Sequence, residues 1–309
     1  MDKHNENRSI TKSTEHETRS AALSSVLAAV FLTGLKLVVG LASGSLGILA
    51  EAAHSGLDLA AALITYFAVR LSGKSADQKH LYGHGKAENL SAFFETLLLL
   101  ATCVWIIHEA FDRLVIKHVE VEALGWAFMV MLISIVVDVS RSRMLYRTAM
   151  KHGSQALEAD ALHFRTDIWS STVVLGGLVG VEIANTYPAL DFLRKADAVA
   201  ALGVAIIVIY ISVSLGIRTV EGLMDVAPEG MADKVKTMVE SMSKVGDCHS
   251  VRVRSSGARI FIDVHLSLDG NQTLSEAHQI TEEVEKLVQE AIPGADVTIH
   301  PEPIDRPVP

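Results

Sequence analysis

His54 and Asp58 stand four residues apart in "AEAAHSGLDLAAALITYFAV", a stretch (50–69) that is otherwise largely apolar. On a helix, residues i and i+4 share one face, so an imidazole and a carboxylate there converge on one point. The same spacing returns in "HFRTD", at His163 and Asp167. Imidazole nitrogen and carboxylate oxygen suit a divalent transition metal, and zinc takes four such ligands in a tetrahedron. Two histidines and two aspartates from two helices supply all four. The competing reading makes each pair an internal hydrogen bond that locks helices together. Burying ionisable groups in lipid costs about 2.5 to 3.5 kcal/mol each on insertion scales, so two matched pairs favour the cation.

Other ionisable side chains carry less weight. Asp160, one turn before His163, reads either as an access-path carboxylate or as an interfacial side chain. Glu51, Glu95 and Asp138 also fall in apolar stretches, where packing or interfacial roles are the simpler reading. In "ADQKHLYGHGKAENL", Asp77, His80 and His84 are spaced to share a metal, although Gly83 and Gly85 argue against a continuous helix and spacing alone favours solvated loop residues. His249, His265, His278 and His300 fall on four separate elements and, taken alone, read as surface residues. Ser55 and Ser170 have no nucleophile, base and orienter arrangement around them, and no phosphate-cradling glycine motif occurs. These residues therefore support no enzyme reading.

The elements that must hold these residues are mostly apolar. The 309 residues are 50% hydrophobic and 20% charged, and the mean hydropathy is positive, which points to a membrane protein with a soluble part. A helix needs about 20 apolar residues to cross a hydrocarbon core of about 30 Å. Six candidate spans lie at 21–43, 46–71, 88–114, 120–142, 155–184 and 196–219; the second and fifth are the ones interrupted by ionisable residues. At about 1.5 Å per residue, Asp58 and Asp167 each lie about 18 Å along spans of about 40 Å, so both pairs fall near mid-depth. Basic residues number twelve in the first tail and the second-third and fourth-fifth connections, against four in the others, which places both termini in the cytoplasm. Glycines 34, 40, 44, 47, 176, 177 and 180 permit close helix approach. The first twenty residues hold four basic and four acidic side chains and resemble neither a signal nor a transit peptide. Two cysteines, Cys103 and Cys248, make no readable disulfide framework.

Beyond about residue 225 the pattern changes to a small soluble domain. Val251, Val253, Ile260, Ile262, Val264 and Leu266 alternate at period two, while Ile280, Val284, Leu287, Val288 and Ile292 recur at helical spacing. The order is α-β-β-α-β. From Asp225 onward there are fifteen acidic against eight basic side chains, seven of the nine net negative charges, a balance that excludes nucleic acid and favours cations. The division expected is a polar cytoplasmic tail (1–20), a six-helix all-α transport domain (21–224) and a cytoplasmic α+β domain (225–309).

These residues resemble the cation diffusion facilitators, divalent metal/proton antiporters. The likeness covers nearly the whole chain after residue 20 and is carried by "HSGLD", "HFRTD", "YGHGKAE", "FIDVHLSL", "EAHQ" and "VTIHPEP". It implies a transport site at His54, Asp58, His163 and Asp167, a loop site at Asp77, His80 and His84, and a cytoplasmic site at a homodimer interface drawing on His249, His265, His278 and His300. Glu302 stands where relatives have an acidic ligand, and Pro301 departs from the polar residue of some relatives. The resemblance further implies a Lys86 to Asp225 ion pair near that interface and a ferredoxin- or metallochaperone-like tail. Within the family, a transport quartet of two histidines and two aspartates looks like zinc transport, so Zn2+ leads as the metal carried and as a regulatory ligand. The His-rich loop of many eukaryotic zinc relatives is missing from "RSRMLYRTAMKHGSQ", which leaves Fe2+, Co2+, Ni2+ and Cd2+ as alternatives. The expectation is Zn2+/H+ antiport by alternating access in a bacterial inner membrane, with protons as counter-ion. The rival is a membrane-anchored metal sensor or scaffold that transports nothing.

Overall fold

The computed structural model describes residues 3–43, 46–115, 125–186, 193–292 and 294–304. Six long helices come first: α1 (Lys3–Ser43), α2 (Leu46–Ser72), α3 (Lys86–Val115), α4 (Gly125–His152), α5 (Gln155–Thr186) and α6 (Leu193–Leu223). Among the described residues, α1, α2, α3 and α6 contain stretches long and apolar enough to cross a membrane. Helices α4 and α5 match them in length but carry Asp138, Arg141 and Arg143, and Glu158, Asp160, Arg165 and Asp167. The expected six spans are thus six helices, four of which meet the composition of a span within the described residues. Lys117, residues 120–124 of the expected fourth span and Gly44 lie outside the described residues.

The polar segment before residue 21 is helical and continuous with α1. Helix α1 lies along α2, α3 along α6 and α4 along α5. Small side chains let these helices close up: Ala21, Ala22, Ala149, Ala156 and Ala161 are buried with Leu145, Leu157 and Phe164 between α1, α4 and α5. At Gly40 a side chain would come within 2.9 Å of Leu49, so glycine sets the α1–α2 approach there; Gly34 and Gly176 face open space. Leu57, Phe67, Val104, Trp105, Val136, Ile206 and Tyr210 are exposed on the outside of the bundle, as helices bathed in lipid require.

The tail begins with α7 (Met231–Glu240), followed by β1 (Asp247–Ser256), β2 (Arg259–Asp269), α8 (Leu274–Ala291) and β3 (Asp296–Ile304). Strands lie in the order β1-β2-β3, with β1 antiparallel and β3 parallel to β2. The parallel pair needs a crossover, and α8 provides it. Thr273 caps α8 in a capping box with Glu276. Its apolar stripe of Ile280, Val284 and Val288 packs with Val235 and Val239 of α7 on Ile262, Val264 and Leu266 of the sheet. The other face of the sheet is left for chemistry.

Candidate metal centres

Helix α2 presents His54 and Asp58, and α5 presents His163 and Asp167. His163 Nε2 lies 3.2 Å from Asp58 Oδ1 and 3.6 Å from Asp167 Oδ2. Asp58, His163 and Asp167 offer ligand atoms within 4.8 Å of one another. His54 stands at the rim: its Nε2 is 3.9 Å from Asp58 Oδ1, and its ring meets Trp105 of α3 edge-on. Two carboxylates and two imidazoles on facing helices can take a divalent cation with neutral imidazole and ionised carboxylate, or protons in its place.

The helices around this group are pinned by polar contacts. Thr33 of α1 donates to the Ser55 carbonyl (2.9 Å), and Lys36 Nζ lies 2.8 Å from Ser55 Oγ and 3.2 Å from Glu51 Oε2. Ser25 donates to Asp160 (3.0 Å) and accepts from Arg141 (3.0 Å), which reaches Asp138 at 3.4 Å and stacks on Phe164. Thr65 donates to the fully buried Glu95. Asp160 and Glu95 are therefore buried groups that join helices, while Asp138 pairs with Arg141 within α4. Sequence reading missed Lys36, a basic residue in an otherwise apolar run, which snorkelling explains equally well until its surroundings are known; Arg141 reads from sequence only as one of the basic residues of the fourth-fifth connection.

A second group sits in the loop between α2 and α3. Asp77, His80 and His84 offer ligand atoms within 4.8 Å, with Asp77 and His80 exposed and His84 mostly buried. Asp77 Oδ1 accepts from the backbone N–H groups of His80 and Lys79 at 2.7 and 2.8 Å, and these bonds hold its carboxyl down at about 2. The loop docks on the tail. Tyr82 packs edge-on against Phe261, Arg254 stacks over Tyr82, and the turn at Ser256 and Gly257 abuts Gly85. Gly257 N–H bonds to Asn89, which in turn bonds to Gln155 of α5. Lys86 Nζ lies 3.0 Å from Asp225 Oδ1 and also donates to the Leu223 carbonyl, while Arg254 reaches Asp225 at 3.9 Å.

The third group lies on the outer face of the tail sheet. His249 pairs with His265 across β1 and β2, and His265 pairs with His300 across β2 and β3. A break in register between His249 and Arg252, with Ser250 at φ 51°, bends β1 beside this rung. Glu302, two residues beyond His300 and so on the same face, lies 2.8 Å from His265 and 3.2 Å from His249, and the His265 hydrogen bond holds its carboxyl below the usual range. His249, His265 and Glu302 offer ligand atoms within 4.8 Å; His300 is 3.8 Å from Glu302. His278 does not join them. It is on α8, across the sheet, exposed and 3.5 Å from Glu282.

Residues 22–224 match the cation efflux transmembrane domain, and residues 227–304 match the cytoplasmic domain of cation efflux proteins. The cation-efflux pump FieF of Yersinia enterocolitica is 32% identical over 288 residues, 92% of each chain. FieF of Yersinia pestis is 33% identical over the same length and shares. A solved structure of CzrB in its zinc form is 28% identical, covering 26% of this chain and 92% of that one, with a TM-score of 0.25. On the two domain matches and the likeness to the FieF pumps, the chain belongs to the cation efflux family, the cation diffusion facilitators, and is an integral membrane transporter of cations.

Proposed function

We propose that this transporter exports Zn2+ in exchange for protons, through a site formed by His54, Asp58, His163 and Asp167. The carrying observation is that Asp58, His163 and Asp167, drawn from two different helices, bring their ligand atoms within 4.8 Å of one another in the middle of the helical domain. Metal and protons compete for the same atoms, so a high proton concentration on the far side displaces the cation. The helices then rock between two packed arrangements, biased by which cation is bound. In this reading all six long helices span a bacterial inner membrane, with both termini in the cytoplasm.

The cytoplasmic domain is proposed as a metal-dependent homodimer contact. His249, His265 and Glu302 form a group open on one side, and His278 is held away by the sheet itself, so it can reach a metal only across a second copy. The loop group Asp77, His80 and His84 is proposed to bind metal next to the docked hairpin, and the Lys86–Asp225 pair to tie α3 to the end of α6.

Zn2+-driven proton flux in proteoliposomes tests the core of this. Asp58→Ala and Asp167→Ala are expected to lower flux by at least about a hundredfold, since each removes a charged ligand from a desolvated site; wild-type flux from either variant rejects the site. A panel of Zn2+, Fe2+, Co2+, Ni2+ and Cd2+ in the same assay decides the metal, and binding without flux for every ion would favour a sensor.

A further inference from the structure

Lys36 lies inside the first apolar stretch, within about 11 Å of the end of α1 and so in snorkelling range of the membrane surface. It does not snorkel. Its side chain is 9% exposed, and its ammonium is turned inward onto α2, between Ser55 Oγ at 2.8 Å and Glu51 Oε2 at 3.2 Å. A tie between α1 and α2 needs no charge, because Thr33 already bonds to the Ser55 carbonyl. Glu51 is 53% exposed, so its charge is spread into its surroundings and neutralises the ammonium incompletely. Ser55 directly follows His54 on α2, so the ammonium is held on the neighbour of one proposed ligand and on the helix that also carries Asp58.

A site with several buried carboxylates would hold a divalent ion too tightly to release it, and a carrier must bind weakly enough to let go. We propose that Lys36 is a resident counter-cation of the transport site, whose fixed positive charge loosens the hold of the carboxylates on the metal and speeds its release. The inference rests on the four-ligand reading above. Glu51 sets how much of the charge is felt. It precedes Asp58 by seven residues, about 10 Å along α2, on the side away from the loop that docks on the tail. The counter-cation therefore lies between the metal and the membrane face opposite the tail, where export ends.

The test is Zn2+ transport by the full-length chain in proteoliposomes, with KM and kcat measured separately. In Lys36→Met, KM is expected to fall about tenfold and kcat to fall with it, because the metal is held more tightly and leaves more slowly. Lys36→Arg keeps the charge and stays within about twofold of wild type, while Glu51→Gln exposes the ammonium more fully and raises KM about threefold. An unchanged or raised KM in Lys36→Met overturns the proposal, as does a KM that moves the same way in Lys36→Met and Glu51→Gln. If Lys36→Met does not reach the membrane, the sign of the Glu51→Gln shift decides alone. Asp167→Ala measured alongside separates the two readings: wild-type transport there rejects the four-ligand site, whereas an inactive Asp167→Ala with an unresponsive Lys36→Met rejects only the counter-cation.

Discussion

At the scale of single residues, the position of His54 at the rim of its group decides what it can do. With its Nε2 3.9 Å from Asp58 and its ring against Trp105, it is placed, in the proposed site, to complete a coordination shell rather than to found it. His54→Asp should therefore keep a working site and relax its selectivity toward harder cations, since carboxylate replaces imidazole. The expected result in a transport panel is a Zn2+ KM raised severalfold together with new Mn2+ transport; unchanged selectivity would mean that His54 does not touch the metal. Asp77 supports a second prediction. Its folded carboxyl is depressed to about 2 from an ordinary 3.8, so what its ionised form contributes is complete above about pH 4 and is lost only as pH falls toward 2. Any metal released from the loop between pH 7 and 5 therefore leaves with Asp77 still ionised. Asp77→Asn is expected to weaken Zn2+ binding about tenfold at pH 7 and by the same factor at pH 5, as read by the Zn2+ dissociation constant measured at each pH.

At the scale of elements, the loop and hairpin are held together by two glycines. A methyl group on Gly85 would overlap the Ser256 carbonyl, and one on Gly257 would come within 2.9 Å of the Gly85 carbonyl. Gly85→Ala should push the hairpin off the bundle, free the Gly257 N–H from Asn89 and raise hydrogen exchange at 255–258 by about tenfold or more, while the strands of the tail keep their protection. No sequence pattern announces such a contact, because two backbones that nearly touch leave only glycines behind. The α-β-β-α-β order of the tail was legible because its core positions alternate cleanly, Ile262, Val264 and Leu266 inward. The HxxxD pairs were legible because charge at mid-span is expensive. Lys36 was not, since one lysine in "FLTGLKLVVGLA" does not reveal whether its ammonium turns outward or inward. Helices α4 and α5 read as spans from the apolar runs "LGWAFMVMLISIVVDV" and "IWSSTVVLGGLVGV", parts of which lie outside the described residues.

At the scale of the whole molecule, the three groups follow one another along the chain's architecture: the proposed transport site in the bundle, the loop group after the end of α2, and the tail group on a sheet against which the loop docks. A homodimer in which His278 of each copy completes the other's tail site predicts that Zn2+ shifts the full-length protein toward dimer. Glu302→Gln should raise the Zn2+ concentration needed about tenfold, because it removes the carboxylate that both His249 and His265 face; analytical ultracentrifugation in detergent reads the shift, and a dimer indifferent to Zn2+ would reject it. The rung of His249, His265 and His300 has a consequence during synthesis. Its third member and Glu302 belong to β3, the last strand to leave the ribosome, which can pair with β2 only after α8 has crossed over. A nascent chain that has emerged as far as α8 holds two of these four side chains and cannot close the group, so on the proposed reading the tail captures no metal until the membrane helices have already been made.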